Sequence, residues 1–92
     1  MTAPKCDSII EQTLADRGRT HGPFHEQAAI TQALKAVLRG NAGWERLTPA
    51  MRESLEMDCH KVGRILAGDP DFADHWLDRA GYATLVAKAC SK

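Results

Sequence analysis

The segment from Thr48 to Pro70 constrains this chain most. Thr48-Pro49 opens it, Gly68-Asp69-Pro70 closes it, and an uninterrupted helical repeat lies between. Thr caps a helix N-terminus through its hydroxyl, and Pro suits the first helical position, where its missing N–H is not needed. Gly and Pro together stop a helix at its other end. The spacing therefore predicts a helix to Ala67, about 28 Å long at 1.5 Å per residue. A second pattern starts at once, from Asp71, a capping residue whose charge suits a helix N-terminus, to about Cys90. Two long helices joined by a short turn predict an antiparallel hairpin.

Upstream, the patterns are shorter. Asp7 to Asp16 reads as a helix capped by Asp7 or Ser8, with Ile10 and Leu14 on one face. Arg17-Gly18-Arg19-Thr20-His21-Gly22-Pro23 holds two glycines and a proline and reads as a loop. Phe24 to Arg39 repeats helically through Phe24, Ala28, Ile30, Ala33, Leu34, Val37 and Leu38, with Gly40 as the stop. Gly40 to Leu47 is a connector carrying Trp44. No strand alternation and no internal repeat is present. The expected fold is all-α: one domain over residues 1–92, a small helical bundle built on the long hairpin, with residues 1–6 as a flexible tail. Trp44, Trp76, Phe24 and Phe72 are the expected packing anchors. A 92-residue chain buries only about two-thirds of its unfolded surface, so homo-oligomerisation is expected to complete the core.

Composition excludes several functions. Twelve Lys and Arg balance twelve Asp and Glu, which argues against bulk nucleic-acid binding and against a polybasic membrane anchor. No apolar run approaches the roughly 20 residues of a membrane span. Met1 to Asp7 lacks the apolar core of a signal peptide. Three cysteines without a CxxC pair fit neither a disulfide framework nor a zinc site. Cys59 and Cys90 fall in apolar stripes and read as reduced packing residues of a cytoplasmic protein. Aromatics, at 5%, are too few for a single-strand stacking platform.

At 100° per residue, Met51, Leu55, Cys59, Val62, Ile65 and Leu66 share one arc of the third helix, the expected core stripe, with Asp58 at its edge. The opposite arc holds Glu53, Glu56, Met57, His60 and Arg64, with Lys61 at the flank. Glu53, Glu56 and His60 are neighbours at helical spacing. They read either as a solvated face or as a face holding a hard cation such as Mg²⁺ through the ExxE carboxylates. On the fourth helix a second stripe carries Asp71, Asp74, His75, Asp78, Tyr82 and Leu85. Asp78 reads either as a structural acid bonded to Arg79 or a neighbouring helix, or as a functional carboxylate facing Glu56. The glycines and arginines of the 17–23 loop, beside a helix N-terminus, suit phosphate; the alternative is an exposed connector.

Three blocks carry a resemblance: Arg19-Thr20-His21-Gly22-Pro23-Phe24; Leu55-Glu56-Met57-Asp58-Cys59-His60-Lys61-Val62-Gly63-Arg64-Ile65-Leu66; and Trp76-Leu77-Asp78-Arg79-Ala80-Gly81-Tyr82-Ala83. Together they resemble a family of short phage and prophage proteins of unassigned function, with His21 where that pattern has Tyr. The family is in turn more faintly similar to the all-α nucleotide pyrophosphohydrolases of the MazG and dimeric dUTPase type. Those enzymes hold Mg²⁺ on an ExxE pair and an ExxD pair of successive helices, and water attacks the bound triphosphate. Glu53 and Glu56 match the first pair. Asp78 matches the last Asp, His75 stands where Glu is expected, and Asp74 lies one residue away.

Three functions follow as expectations. The first is a Mg²⁺-dependent pyrophosphohydrolase of a nucleoside triphosphate or modified nucleotide. Glu53, Glu56, Asp74 and Asp78 hold metal, with Glu56 and His60 catalytic. Arg19, Lys61, Arg64 and Tyr82 contact the nucleotide. The second is a non-catalytic protein that sequesters or senses a nucleotide, cyclic ones included. The third is a ligand-free assembly module. A concave site where acids and bases converge distinguishes the first two from the third.

Overall fold

The computed structural model describes the backbone of residues 5–92, and side chains from Ser8 onward. Helices α1 (Lys5–His21), α2 (Phe24–Arg39), α3 (Pro49–Ala67) and α4 (Ala73–Ala89) follow one another, with a 3₁₀ turn at Ala42–Arg46 between α2 and α3. The described residues contain no strand, so the all-α expectation holds. Of the tail expected over residues 1–6, residues 1–4 lie outside the described residues, and Lys5 and Cys6 are already helical.

The third helix forms as its sequence dictates. The Thr48 hydroxyl accepts from the Met51 N–H at 3.2 Å, and Pro49 sits in the first turn. Three boundaries depart from expectation. The 17–23 segment is helical as far as His21, leaving only Gly22 and Pro23 as the corner. The Trp44 connector winds into the 3₁₀ turn, capped by the Asn41 side chain. The N-cap of α4 is Phe72 rather than Asp71, because the turn is closed from Asp69, whose carboxylate accepts from the Asp71 N–H at 2.9 Å.

Helix α3 is the centre of the fold. Helices α2 and α4 pack on its two flanks and make no substantial contact with each other, while α1 packs lightly. The result is a layer of three helices with a projecting arm, 60 × 26 × 25 Å. Gly63 sets the α2 flank. A Cβ there would lie 2.5 Å from Thr31 Oγ1 and 2.9 Å from the Gln27 carbonyl oxygen, so only Gly permits this approach. Buried Thr31 bonds the Cys59 carbonyl across the same seam. The α4 flank is held by ion pairs, Lys61–Asp78 at 2.8 Å and Arg79–Asp58 at 2.5 Å.

The corner is pinned backbone to backbone. Gly22 has φ +77°, and a Cβ on it would collide with the Ala67 carbonyl. The Thr20 carbonyl accepts both the Asp69 N–H and the His75 Nε2–H, each at 3.0 Å. His75 is 2% exposed, the most buried large side chain. It pins α4 to the end of α1.

The expected core does not close. Cys59 is the one buried hydrophobic residue among those described. Leu55 and Leu66 of the predicted core stripe are exposed. Of the predicted anchors, Phe24 and Trp76 are exposed and Trp44 and Phe72 half-buried. Cys90 is exposed beyond the end of α4, not packed.

Candidate functional site

The arc of α3 that carries charge faces away from the apolar stripe, and Arg64 is its hub. Arg64 donates to the Gln27 side chain at 3.4 Å and, with Arg17, His21, Gln27 and Phe24, lines a pocket of 350 Å³ at the α1–α2 corner. Neither Arg17 nor Arg64 has a carboxylate partner among the described residues, whereas Arg19, Arg39, Arg52 and Arg79 are each paired. The pocket also meets the N-terminus of α2, which has no side-chain cap. The first N–H groups of a helix lack partners and carry partial positive charge.

His21 forms the pocket's inner wall. Its Nδ1 lies 2.6 Å from the Thr20 hydroxyl, and its ring meets those of His75, at 4.8 Å, and Phe72, at 6.4 Å. Burial, then the charges of Arg64, His75, Arg17 and Lys61, push its pKa down to about 4. His21 is therefore neutral at pH 7. His60, one helical turn before Arg64, is also held below the usual imidazole range, by burial and then by Lys35, Arg64 and Lys61.

The carboxylates are distributed differently from the metal-site expectation. Glu56 accepts from the Arg39 Nε at 2.7 Å. Asp78 accepts from Lys61, whose side chain is only 8% exposed. That bond, followed by the Lys61 charge, holds the Asp78 carboxyl below the usual range. Glu53 and Asp74 are exposed. Among the described residues no group of three or more His, Cys, Asp or Glu side chains is placed to hold one ion. In this arrangement Glu56 and Asp78 each already face a cation of the chain, Arg39 and Lys61. His75, at the place of the expected Glu, bonds a backbone carbonyl instead.

Other residues sort as follows. Of His60, Lys61, Arg64 and Asp78, the structure joins Lys61 to Asp78 across α3 and α4, while Arg64 turns to the α1–α2 corner. Arg19 is 75% exposed and pairs with Asp16, so it does not line the pocket. Tyr82 is half-buried in a groove on α4 with Leu77, Asp78, Gly81 and Leu85, away from the corner. Sequence reasoning missed Gln27, since a lone Gln in an amphipathic helix gives no signal. It placed the basic loop near phosphate chemistry but singled out Arg19, whereas Arg17, one helical turn before His21, is the residue that lines the pocket.

No helix among the described residues is long and apolar enough to cross a membrane. Compared with known proteins, the chain matches no family model, no curated protein and no solved structure.

Proposed function

We propose that this chain binds a nucleotide through its phosphates at the α1–α2 corner, without needing to hydrolyse it. The observation that carries the reading is the pair of carboxylate-free guanidinium groups, Arg17 and Arg64, lining one pocket at a helix N-terminus. Its volume suits phosphate groups better than a whole nucleotide. Phe24, 78% exposed at the rim, offers a ring for the base to stack on.

The test is calorimetric titration with inorganic phosphate, pyrophosphate and nucleoside mono- and triphosphates. Binding that weakens at least about tenfold in Arg64→Ala and in Arg17→Ala is expected. Absence of binding for every probe, or equal binding by the variants, overturns the reading.

A second reading is the pyrophosphohydrolase that the resemblance implies. It is favoured by His60, a neutral imidazole on the polar arc of α3 close enough to Glu56 and Arg64 to feel both charges. Such a group can take a proton from water. Pyrophosphate release from nucleoside triphosphates with Mg²⁺ or Mn²⁺, lost in both His60→Ala and Glu56→Gln, supports it. Equal release by wild type and variants removes it.

A further inference from the structure

The apolar arc of α3 is only partly covered by its own chain: Met51 and Val62 are half-buried, while Leu55 and Leu66 are exposed. On the wheel, Cys59 and Gly63 point to α2, and Asp58 and Lys61 to α4. Met51, Leu55, Val62 and Leu66 occupy the arc between. Leu55 lies at its middle and lines three adjoining grooves, two shared with α2 and the connector and one shared with α4. Val37 on α2 and Trp76 on α4 border the same surface, 72% and 47% exposed. The charged side chains lining these grooves, Asp58 and Arg79, already pair with each other. The face is therefore apolar and close to neutral, suited neither to nucleic acid nor to an anionic membrane.

We infer that this face is covered by the same face of a second copy of the chain, with Leu55 near a two-fold axis. Area supports that occupant. The chain exposes 6814 Å², against roughly 5,300 Å² for a compact monomer of its mass. Its radius of gyration is 16.4 Å, against about 12 Å for a compact chain of this length. The excess, roughly 1,500 Å², is shared between the projecting α1 arm and this face, and is large enough to include the roughly 800 Å² per partner that a stable interface removes. With one buried hydrophobic residue among those described, the chain gains from a partner as soon as it folds, and a second copy is always at hand. A neutral apolar face also meets its own image without like-charge repulsion.

Sedimentation equilibrium at tens of micromolar tests this. The wild type is expected at twice its 10.1 kDa chain mass, with a thermal midpoint that rises with protein concentration. Val37→Glu alters a side chain already exposed in the single chain, so it spares the intrachain packing. It is expected to raise the dimer dissociation constant at least about 100-fold. Leu85→Glu, in the groove on the other side of α4, is expected to leave the mass unchanged. If Val37→Glu loses helical circular dichroism where Leu85→Glu keeps it, folding depends on this interface, which also supports the inference. A wild type of single-chain mass with a concentration-independent midpoint overturns it. So does a Val37→Glu dimer as tight as wild type, or dissociation by Leu85→Glu alone. None of these outcomes depends on the corner pocket, which lies off this face.

Discussion

Gly63→Ala tests the claim that α3 and α2 meet at a contact only Gly permits. The new methyl would lie 2.5 Å from Thr31 Oγ1 and 2.9 Å from the Gln27 carbonyl oxygen. Relieving both contacts requires α2 to move by roughly 0.5–1 Å, and overpacking of that kind costs about 1–3 kcal/mol. The shift also stretches the Thr31–Cys59 bond, already 3.4 Å long, worth about 1 kcal/mol. Against this, replacing Gly by Ala inside a helix gains about 1 kcal/mol. The net expectation is a loss of about 1–3 kcal/mol, or roughly 5–15 °C in thermal midpoint for a domain of this size. Gly81 supplies the matched control. It is also within a helix, and a Cβ there meets nothing within 4 Å, so Gly81→Ala should gain about 0.5–1 kcal/mol. Urea or thermal unfolding by circular dichroism measures both at one protein concentration. A Gly63→Ala protein as stable as Gly81→Ala would refute the close-packed seam. Thr31→Ala in the Gly63→Ala background should recover part of the loss, and only part, because the Gln27 carbonyl remains in the way.

Other expectations concern titration, pairing and capping. His21 binds its proton with a pKa of about 4 when folded, against an ordinary imidazole's 6.5, so between those values the unfolded chain takes up protons that the folded chain does not. Stability should fall as pH drops from about 6.5 toward 4, by at most about 3 kcal/mol, reduced to about 1–2 by solvent screening. His60 adds a slope of the same sign, so the difference between urea midpoints of wild type and His21→Asn at pH 7.5 and 5 isolates His21; identical slopes would sink the assignment. Asp78→Asn should lower the thermal midpoint further than Lys61→Met does. The first strands a buried ammonium, whereas the second leaves a half-exposed carboxylate with access to water; the reverse order would mean that Lys61 is solvated. Thr48→Ala should cost about 1 kcal/mol of unfolding free energy by losing the α3 cap, and no loss in urea titration would mean the cap contributes nothing.

Helix α3 is legible in the sequence because its determinants are local. A hydroxyl cap, a first-turn Pro and a terminal Gly act within a few residues. The end of α1 is not local. Gly18 and the charges around it read as a loop, and an interior Gly does cost a helix about 1 kcal/mol. The cost is met from far along the chain: the Thr20 carbonyl is bonded by Asp69 and His75. The same bonds account for a His at the position where the resemblance expects Glu: its ring is spent on the Thr20 carbonyl. Its burial against α1 is a tertiary fact, and an Asp-rich helical stripe carries no trace of it. Arg39 and Lys61 likewise reach Glu56 and Asp78 from other elements, so carboxylates at ExxE spacing look alike in sequence whether or not cations already occupy them.

The apolar stripe of α3 shows how far a hydrophobic pattern reaches. Periodicity reports that Met51, Leu55, Val62 and Leu66 must leave water; it does not report which chain removes them. Within one copy, α2 and α4 approach α3 through small and charged positions on either side of that stripe, through Gly63 and Thr31 on one flank and Lys61, Asp78, Asp58 and Arg79 on the other. Those contacts are directional and fix the layer's geometry, but they remove little apolar surface. The hydrophobic driving force scales with apolar area taken from water, and the exposed Leu55 and Leu66 hold part of it in reserve after the three helices have met. The flanks set the shape, and in the dimer inferred above the stripe sets the partner. The polar arc on the reverse of α3, with Arg64 and His60, is then the surface that a two-fold pairing of apolar faces leaves open to a ligand.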